Sequence, residues 1–529
     1  MVTMSDANGG VRNGASPLGH GVASAGMWSL SGSLVLLLAT VIATPFTIRL
    51  LGPANYGLWS LLQSVLAYAA LADLGMATAS TKIAAEDLAR DRTSTPRKRR
   101  RLHSARSPND SNGEVSAVYT SLLITVGVTS LLAAVVGLEA GNLLGLFHIN
   151  VHQRSEGVGA LRIICAISVC NAVIGILNTP QIIRLRWRPY TAITTGAGVI
   201  GTVGAPVVLR LFGGGIEVVS IVVLFASCVA VVGNLILAVR LQPALRHIHI
   251  DRETMHRLLS YGIGLTISGI AAIPLNTAER FFLAHNRSTA TVAYYAVAAS
   301  LGATLMVIPQ ALIQPLVPAL VRLRSQSRIL EYRQLCSRGL RMLVLVMIPA
   351  AIIGSFLAHP FLSLWAGKVY GVRSTGPFLI LLCGVVCNGL AYVPFAHLLA
   401  TGRTAMIARI HLLELPCYLV MAAVLTARYG SIGAALSWTA RVVADSIIYY
   451  AVARRTDELG GSSLDWLRGA SLIPPAVLGV GMYVCAIFVG GLGPRLLVAA
   501  GVGGVYAAVV WRAVLDDDDK RTLLRLAGH

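Results

Sequence analysis

The sequence predicts an all-α integral membrane protein of about fourteen transmembrane helices, two six-helix lobes around a central cavity plus two extra helices. Three observations carry this: the number and length of apolar stretches, the basic charge in alternate gaps between them, and an echo between the two halves. A helix rises about 1.5 Å per residue and the hydrocarbon core is about 30 Å thick, so roughly 20 apolar residues cross it. Such stretches lie near 27–50, 56–80, 116–138, 158–180, 190–212, 216–240, 258–284, 291–317, 340–364, 374–400, 407–427, 430–453, 470–491 and 495–514. The 529-residue chain is 55% hydrophobic and 12% charged, with a mean hydropathy of +0.71. Soluble domains carry about twice that charged fraction.

The gaps orient the spans. One set holds Lys82, Arg90, Arg92, Arg97 to Arg101 and Arg106, then Arg184, Arg186 and Arg188, then Arg246, Arg252 and Arg257. It continues with Arg322 to Arg338, Arg403, Arg454, Arg455 and a tail bearing Lys520, Arg521 and Arg525. The alternate gaps offer little beyond Arg154, Arg287, Lys368, Arg373, Arg428 and Arg495. Cytoplasmic loops retain Lys and Arg, so the rich set is expected inside, with both termini cytoplasmic. The net charge of +20 is then an orientation signal reinforced by anionic lipid. Its scatter over many loops argues against nucleic acid as a partner.

The first apolar segment runs past 20 residues from Met27 without a small-residue cleavage site, and is expected to be a retained span after a tail at 1–26. The eight cysteines lie almost wholly inside spans, so no structural disulfide is expected. Cys383 and Cys387 share a helix face without His or acid partners, which makes a poor metal site. No cofactor or metal is called for. The insert at 82–114 is polar and basic with no apolar periodicity, as expected of a disordered loop, helical at most at its ends. It reads as a lipid-touching topogenic loop or as a docking site for a cytoplasmic enzyme. The string DDDDK at 516–520, in the tail 515–529, carries no functional weight.

The echo sets the domains. R-L-L-G-P-A-N-Y-G-L-W-S (49–60) and R-F-F-L-A-H-N-R-S-T-A-T-V-A-Y-Y (280–295) each place an Arg at an outer helix end, then a turn, then an aromatic opening the next helix. Six spans separate them, so the copies share orientation and an axis along the membrane normal. The lobes expected are 27–240 and 258–454, with 470–514 an appended helix pair.

Charges and amides inside hydrocarbon are costly, so each is a candidate site. Arg49 and Arg280, at equivalent places, would make a shared cavity cationic and suited to a phosphate headgroup, which guanidinium binds bidentately. The alternative is snorkelling to outer headgroups. Glu279 is a further substrate candidate, and side chains adjacent on a helix do not face each other, so no pairing with Arg280 is expected. Gln63, Asn276, Gln310 and Gln314 can contact a hydroxylated ligand or make interhelical hydrogen bonds. Glu414, two residues before Pro416, and Asp445 are the ion-coupling candidates, although Asp445 lies four residues from Arg441, where an intrahelical ion pair is expected. Asp73 reads as a helix-end or interlobe contact. Gly262, Gly264, Gly269 and Pro274 in span seven, and Pro309, Pro315 and Pro318 in span eight, mark helices that bend along a transport pathway.

The same residues carry a family resemblance. R-L-L-G-P-A-N-Y-G-L-W-S (49–60) with L-A-D-L-G-M-A-T-A-S-T-K (71–82) resembles the opening of Wzx-type oligosaccharide-lipid flippases and polysaccharide exporters, a branch of the multidrug/oligosaccharidyl-lipid/polysaccharide (MOP) exporter superfamily. A-E-R-F-F-L-A-H (278–285), V-A-Y-Y-A-V-A (292–298), L-L-A-T-G-R-T (398–404) and R-Y-G-S-I-G-A-A-L-S (428–437) resemble its later spans. The resemblance covers about 27–455; the long basic loop departs from it, and two spans beyond the usual twelve are similar to the fourteen-span lipid II flippases. It implies a non-enzymatic flippase in the bacterial cytoplasmic membrane. The expected substrate is a polyprenyl-diphosphate-linked oligosaccharide, and the expected partners are membrane lipids, a polysaccharide polymerase and glycosyltransferases. A lipid II flippase and a multidrug/cation antiporter of the same superfamily are the alternatives. The antiporter would need acids deep in its cavity, and span one has none.

Overall fold

The computed structural model describes residues 17–93, 113–147, 149–184, 186–456, 472–515 and 520. Residues 1–16, the central part of the basic loop (94–112), the four aspartates of DDDDK and the tail from 521 lie outside the described residues. Among the described residues there is no strand. Ten segments are long and apolar enough to cross a bilayer, one of them, Ser31–Tyr68, containing most of spans one and two. With that segment divided at its kink, and with spans seven, twelve and thirteen, which fall short in length or hydropathy, the fourteen expected spans are all helical. This is a multi-pass membrane protein.

Spans one and two share α1 (Pro17–Ala69), kinked at Gly52 (φ 73°, ψ 169°). A side chain is strained at that φ, and Pro53 restarts the helix without needing the hydrogen bond that the kink removes. Leu34, Leu38, Ile42 and Phe46 recur every fourth residue and are exposed, while Ala39, Ala43 and Thr47 are buried. The helix therefore shows one apolar face outward and a small-residue face inward.

Span two breaks at a 3-10 turn (Ala70–Asp73) followed by left-handed Leu74 (φ 50°) and Gly75 (φ 67°), and resumes as α2 (Met76–Thr93). Asp73 caps α2, accepting from the Ala77 N–H at 3.2 Å and from Thr125 Oγ1 of α3 (Gly113–Leu138) at 3.1 Å. The helix-end reading of Asp73 is what the structure shows. The expected loop is helical from 82 through Thr93.

After a short helix (Ala140–Gly145) come α4 (Val151–Leu177), α5 (Trp187–Phe212) and α6 (Ile216–Leu241). Beyond α4, Arg184 grips Glu114 at the start of α3 with two hydrogen bonds, 2.5 and 2.8 Å. Span seven divides into α7 (Arg252–Ala272) and α8 (Pro274–Asn286), where Pro274 cannot continue the ladder. Span eight divides into α9 (Thr289–Thr304) and α10 (Val307–Ser325). Pro309 has no N–H for the carbonyl of Leu305 four residues back, so the helix parts there.

The chain continues through α11 (Ile329–Trp365), α12 (Lys368–Ala400), α13 (Thr404–Tyr429) and α14 (Ser431–Arg454). The pair α15 (Ile473–Phe488) and α16 (Leu492–Val509) lies against α11, where Arg495 donates to the Phe356 carbonyl at 2.9 Å.

Two seams join the halves. At one end α1 packs on α9, and an added Cβ on Gly57 would lie 1.7 Å from the Thr289 carbonyl oxygen. Leu58, Leu61 and Leu62 continue that seam into one buried cluster with Val292, Ala293 and Val297. At the other end α7 packs on α2 and α3, and an added Cβ on Gly262 would lie 2.3 Å from the Leu74 carbonyl oxygen. Both seams are closed by backbone-close contact that only glycine permits.

Candidate functional site

Two cavities flank the first half of α1. The larger, about 490 Å³, is enclosed by α1, α4, α5 and α6. The other, about 340 Å³, lies between α1 and the α9–α11 side. Both are bounded by Leu36, Thr40 and Thr44, so α1 is their common wall. Among the described residues neither lining includes a charged one. The polar groups are neutral: Thr47, Gln63, Asn171, Thr194, Thr202 and Ser227 in one, Ser33, Ser300 and Thr304 in the other. Tyr56 and Trp59 add aromatic faces to the first, Trp365 to the second. Hydroxyls and amides beside flat rings can hydrogen-bond a sugar's hydroxyls and cover its apolar faces.

Sequence reasoning found Gln63 and missed the rest. The signal was present: Thr40, Thr44 and Thr47 repeat at the i, i+4, i+7 spacing of one helix face. Asn171 on α4 and Thr194 and Thr202 on α5 reach the cavity only through tertiary packing.

Arg280 lies on α8 against the second half of α1. Its Nη1 donates to Ser64 Oγ at 3.3 Å, and its buried Nε has no hydrogen-bond partner, so the guanidinium keeps donor capacity. Its Nε also comes within 3.9 Å of Glu279 Oε1. This corrects the expectation that the adjacent pair stays apart: both side chains are long, and Glu279 is held in place by other groups. Glu279 is only 1% exposed and accepts from Tyr295 at 3.0 Å and Tyr418 at 2.5 Å, tying α8 to α9 and α13. A buried carboxylate with two such donors is satisfied.

Arg49 sits elsewhere. Its Nη2 donates to the carbonyls of Leu364 (2.9 Å) and Trp365 (3.4 Å), at the C-terminus of α11, where partial negative charge gathers. The Trp365 indole returns a bond to the Val41 carbonyl at 2.9 Å. The two arginines thus have different partners, and neither borders the two cavities. Arg287 is the closer counterpart of Arg49, capping α13 through the carbonyls of Ala427 (2.6 Å) and Arg428 (3.0 Å).

The remaining candidates separate. Asn276 donates to the Ala272 carbonyl at 2.8 Å, across the break in span seven. Gln310 is an electrostatic neighbour of the Tyr392 hydroxyl. The side chain of Gln314 lies outside what the structure describes. Glu414 and Asp445 do come together between α13 and α14 as electrostatic neighbours, with Arg441 beside both. The expected Arg441–Asp445 ion pair does not close; the guanidinium lies 5.8 Å from the Tyr418 ring centre and 6.0 Å from that of Trp438. Aromatic faces offer a cation an alternative to a carboxylate. Tyr449 bridges from Asp445 to His411, its hydroxyl 2.9 Å from Nε2. Tyr418, bonded to Glu279 and facing Arg441, links this acid pair to the neighbourhood of Arg280.

The chain matches the sequence profile of the family described as "Polysaccharide biosynthesis protein" over residues 22–324. A candidate O-antigen transporter of Shigella flexneri is 23% identical over 434 residues, covering 80% of this chain and 95% of the relative. Among solved structures, the lipid II flippase MurJ in an inward closed conformation superposes with a TM-score of 0.68 at 12% identity, covering 93% of this chain and all of that one. A multidrug resistance MATE family transporter of the MOP superfamily, inward-facing, gives 0.61 at 13% identity over 82% and 97% of the two chains. The chain belongs to the polysaccharide biosynthesis protein family and has the helical fold of the MOP superfamily.

Proposed function

We propose that this chain is a flippase that carries a polyprenyl-diphosphate-linked oligosaccharide from the inner to the outer leaflet of the bacterial cytoplasmic membrane. The observation that carries the reading is the pair of charge-free, hydroxyl-lined cavities beside α1, with the guanidinium of Arg280 against the same helix. The cavities suit the glycan, and Arg280 suits the diphosphate. An organic cation would instead call for acids in those linings.

Helices of 27–240 and 258–454 act as two lobes that rock about this site, opening one seam as the other closes. Both termini are cytoplasmic, and the substrate comes from glycosyltransferases and passes to a polymerase. The work needs no nucleotide: an inside-negative potential favours outward movement of an anion by roughly 2.3 kcal/mol per charge per 100 mV. Glu414 and Asp445 form the ion-coupling site. Gln63 is the substrate contact in the larger cavity and Glu279 orients Arg280, while Asn276 serves the break in span seven and Arg49 the outer kink of α1.

The test is flipping of a polyprenyl-diphosphate saccharide in vesicles holding purified protein. Gln63→Leu is expected to lower the rate roughly tenfold, since bonds to a polar ligand that stay unmade cost about 1–3 kcal/mol. Glu414→Gln is expected to flatten the dependence on pH or sodium. Wild-type rates from Gln63→Leu would remove the larger cavity from the pathway, and an unchanged ion response from Glu414→Gln would leave the acid pair structural.

A further inference from the structure

A third cleft, about 430 Å³, opens at the seam between α2 and α7, lined by Lys82, Ile83, Glu86, His256, Arg257, Ser260 and Tyr261. Lys82 and Arg257 belong to the charge that orients the chain, and the reading above gives them no other task. The fold brings them together from opposite halves. Lys82 Nζ stands 4.0 Å from the Tyr261 ring centre, and Arg257 Nη2 reaches Glu86 Oε2 at 3.5 Å.

We propose that this cleft is the entry site for the diphosphate of the lipid-linked substrate. The proposal rests on the flippase reading for the chemistry of the ligand and for which end faces the cytoplasm. Among the described residues two fixed cations and a histidine face a single carboxylate, so this lining carries unspent positive charge. Both contacts across it are ones a diphosphate outcompetes. A half-exposed ion pair at 3.5 Å contributes little, and a lysine on an exposed ring is held weakly. Phosphate oxygens offer the guanidinium two parallel bonds that a single distant carboxylate oxygen does not. Both contacts span α2 and α7, so a ligand that captures Lys82 and Arg257 takes the place of these side-chain ties and bridges the two helices. Gly262 lies one turn further along α7, pressed on the Leu74 carbonyl at the left-handed break in span two. The cleft thus sits over the point where the seam is tightest. A lipid-borne headgroup reaches it from the membrane surface.

The experiment is binding of farnesyl diphosphate to the full-length protein in phosphatidylcholine nanodiscs, by calorimetry. Lys82→Gln and Arg257→Gln are each expected to weaken binding about tenfold, and Glu86→Gln to tighten it several-fold by removing the competing carboxylate. A purely structural seam would give Glu86→Gln and Arg257→Gln the same sign, which would overturn the proposal. Inorganic diphosphate is expected to compete, and phosphatidylglycerol in the nanodisc to leave most of the affinity. Binding abolished by phosphatidylglycerol would mean a site for bulk anionic lipid and would overturn the assignment. Repeating the titration with Arg280→Gln separates the two readings. Binding that survives there and fails in the cleft variants supports this site. Binding lost with Arg280 and untouched by the cleft variants overturns this site and leaves the flippase reading intact. A wild-type protein that binds neither probe overturns both.

Discussion

At the scale of single residues, the two arginines that look equivalent in sequence have different work. Arg49 spends its guanidinium on the last carbonyls of α11, while Arg280 has a buried Nε that makes no hydrogen bond and lies 3.9 Å from Glu279. Arg280→Gln is expected to reduce glycan export ten- to hundredfold at equal protein level, a loss of about 1.5–3 kcal/mol. Arg280→Lys should recover part of it, keeping charge without the fork. Arg49→Gln should show mainly as lower thermal stability, at most about 1 kcal/mol for an exposed cap. Equal export defects with unchanged melting in both Gln variants would restore the symmetric reading.

Asp251 gives a second residue-scale prediction. It caps α7, accepting from the Thr254 N–H at 2.8 Å and hydroxyl at 2.7 Å, and these bonds hold its carboxyl below the usual carboxylate range. A depressed folded pKa means the stabilisation is full above the unfolded value, near 3.9, and fades as pH falls through the folded one. Asp251→Ala is expected to cost about 1 kcal/mol at pH 7. The gap between variant and wild-type melting temperature should narrow on acidification, and a gap that widens would contradict the cap.

At the scale of elements, the breaks matter more than the helices. Span two breaks at Leu74–Gly75, span seven at Ile273–Pro274 and span eight at Leu305–Met306, and the two seams use the glycines nearest these segments or the α1 kink. Gly57→Ala puts a methyl 1.7 Å from the Thr289 carbonyl, and Gly262→Ala puts one 2.3 Å from the Leu74 carbonyl. Backbone cannot step aside as a flexible side chain does, so each substitution must part its own seam. Cysteine-labelling at the α1–α9 seam is expected to rise with Gly57→Ala, and labelling at the α2–α7 seam with Gly262→Ala. Both variants raising labelling at the same end would refute the two-seam picture.

At the scale of the molecule, the charge pattern makes a topological prediction. A phosphatase inserted at Gly214, between α5 and α6, is expected to be active, on the outer face. One inserted at Ser104 or fused after His529 is expected to be inactive, on the cytoplasmic face. Activity at either of the last two would break the even-span arrangement.

The sequence by itself determined the class, the span count and the breaks of spans seven and eight at Pro274 and before Pro309, but not the break of span two. Those are local properties: apolar length against bilayer thickness, proline's missing donor, glycine before proline at 52–53. It also pointed to Gln63, Arg280 and the acid of span eleven, because a polar group in hydrocarbon stands out against its neighbours. Only the tertiary structure decided what those groups face. The Arg49–Arg280 echo is real as a pattern of helix ends, yet one guanidinium meets helix carbonyls and the other a serine and a buried glutamate. Arg441 and Asp445 have ion-pair spacing, but the rings of Tyr418 and Trp438, from two helices, hold the guanidinium instead. The cavity beside α1 is built from residues on four helices, α1 and three that follow it by a hundred positions or more, and of its polar lining only Gln63 stood out in its own span. Partners of that kind are set by which helix faces meet, and a chain read in one dimension carries helix faces without their neighbours.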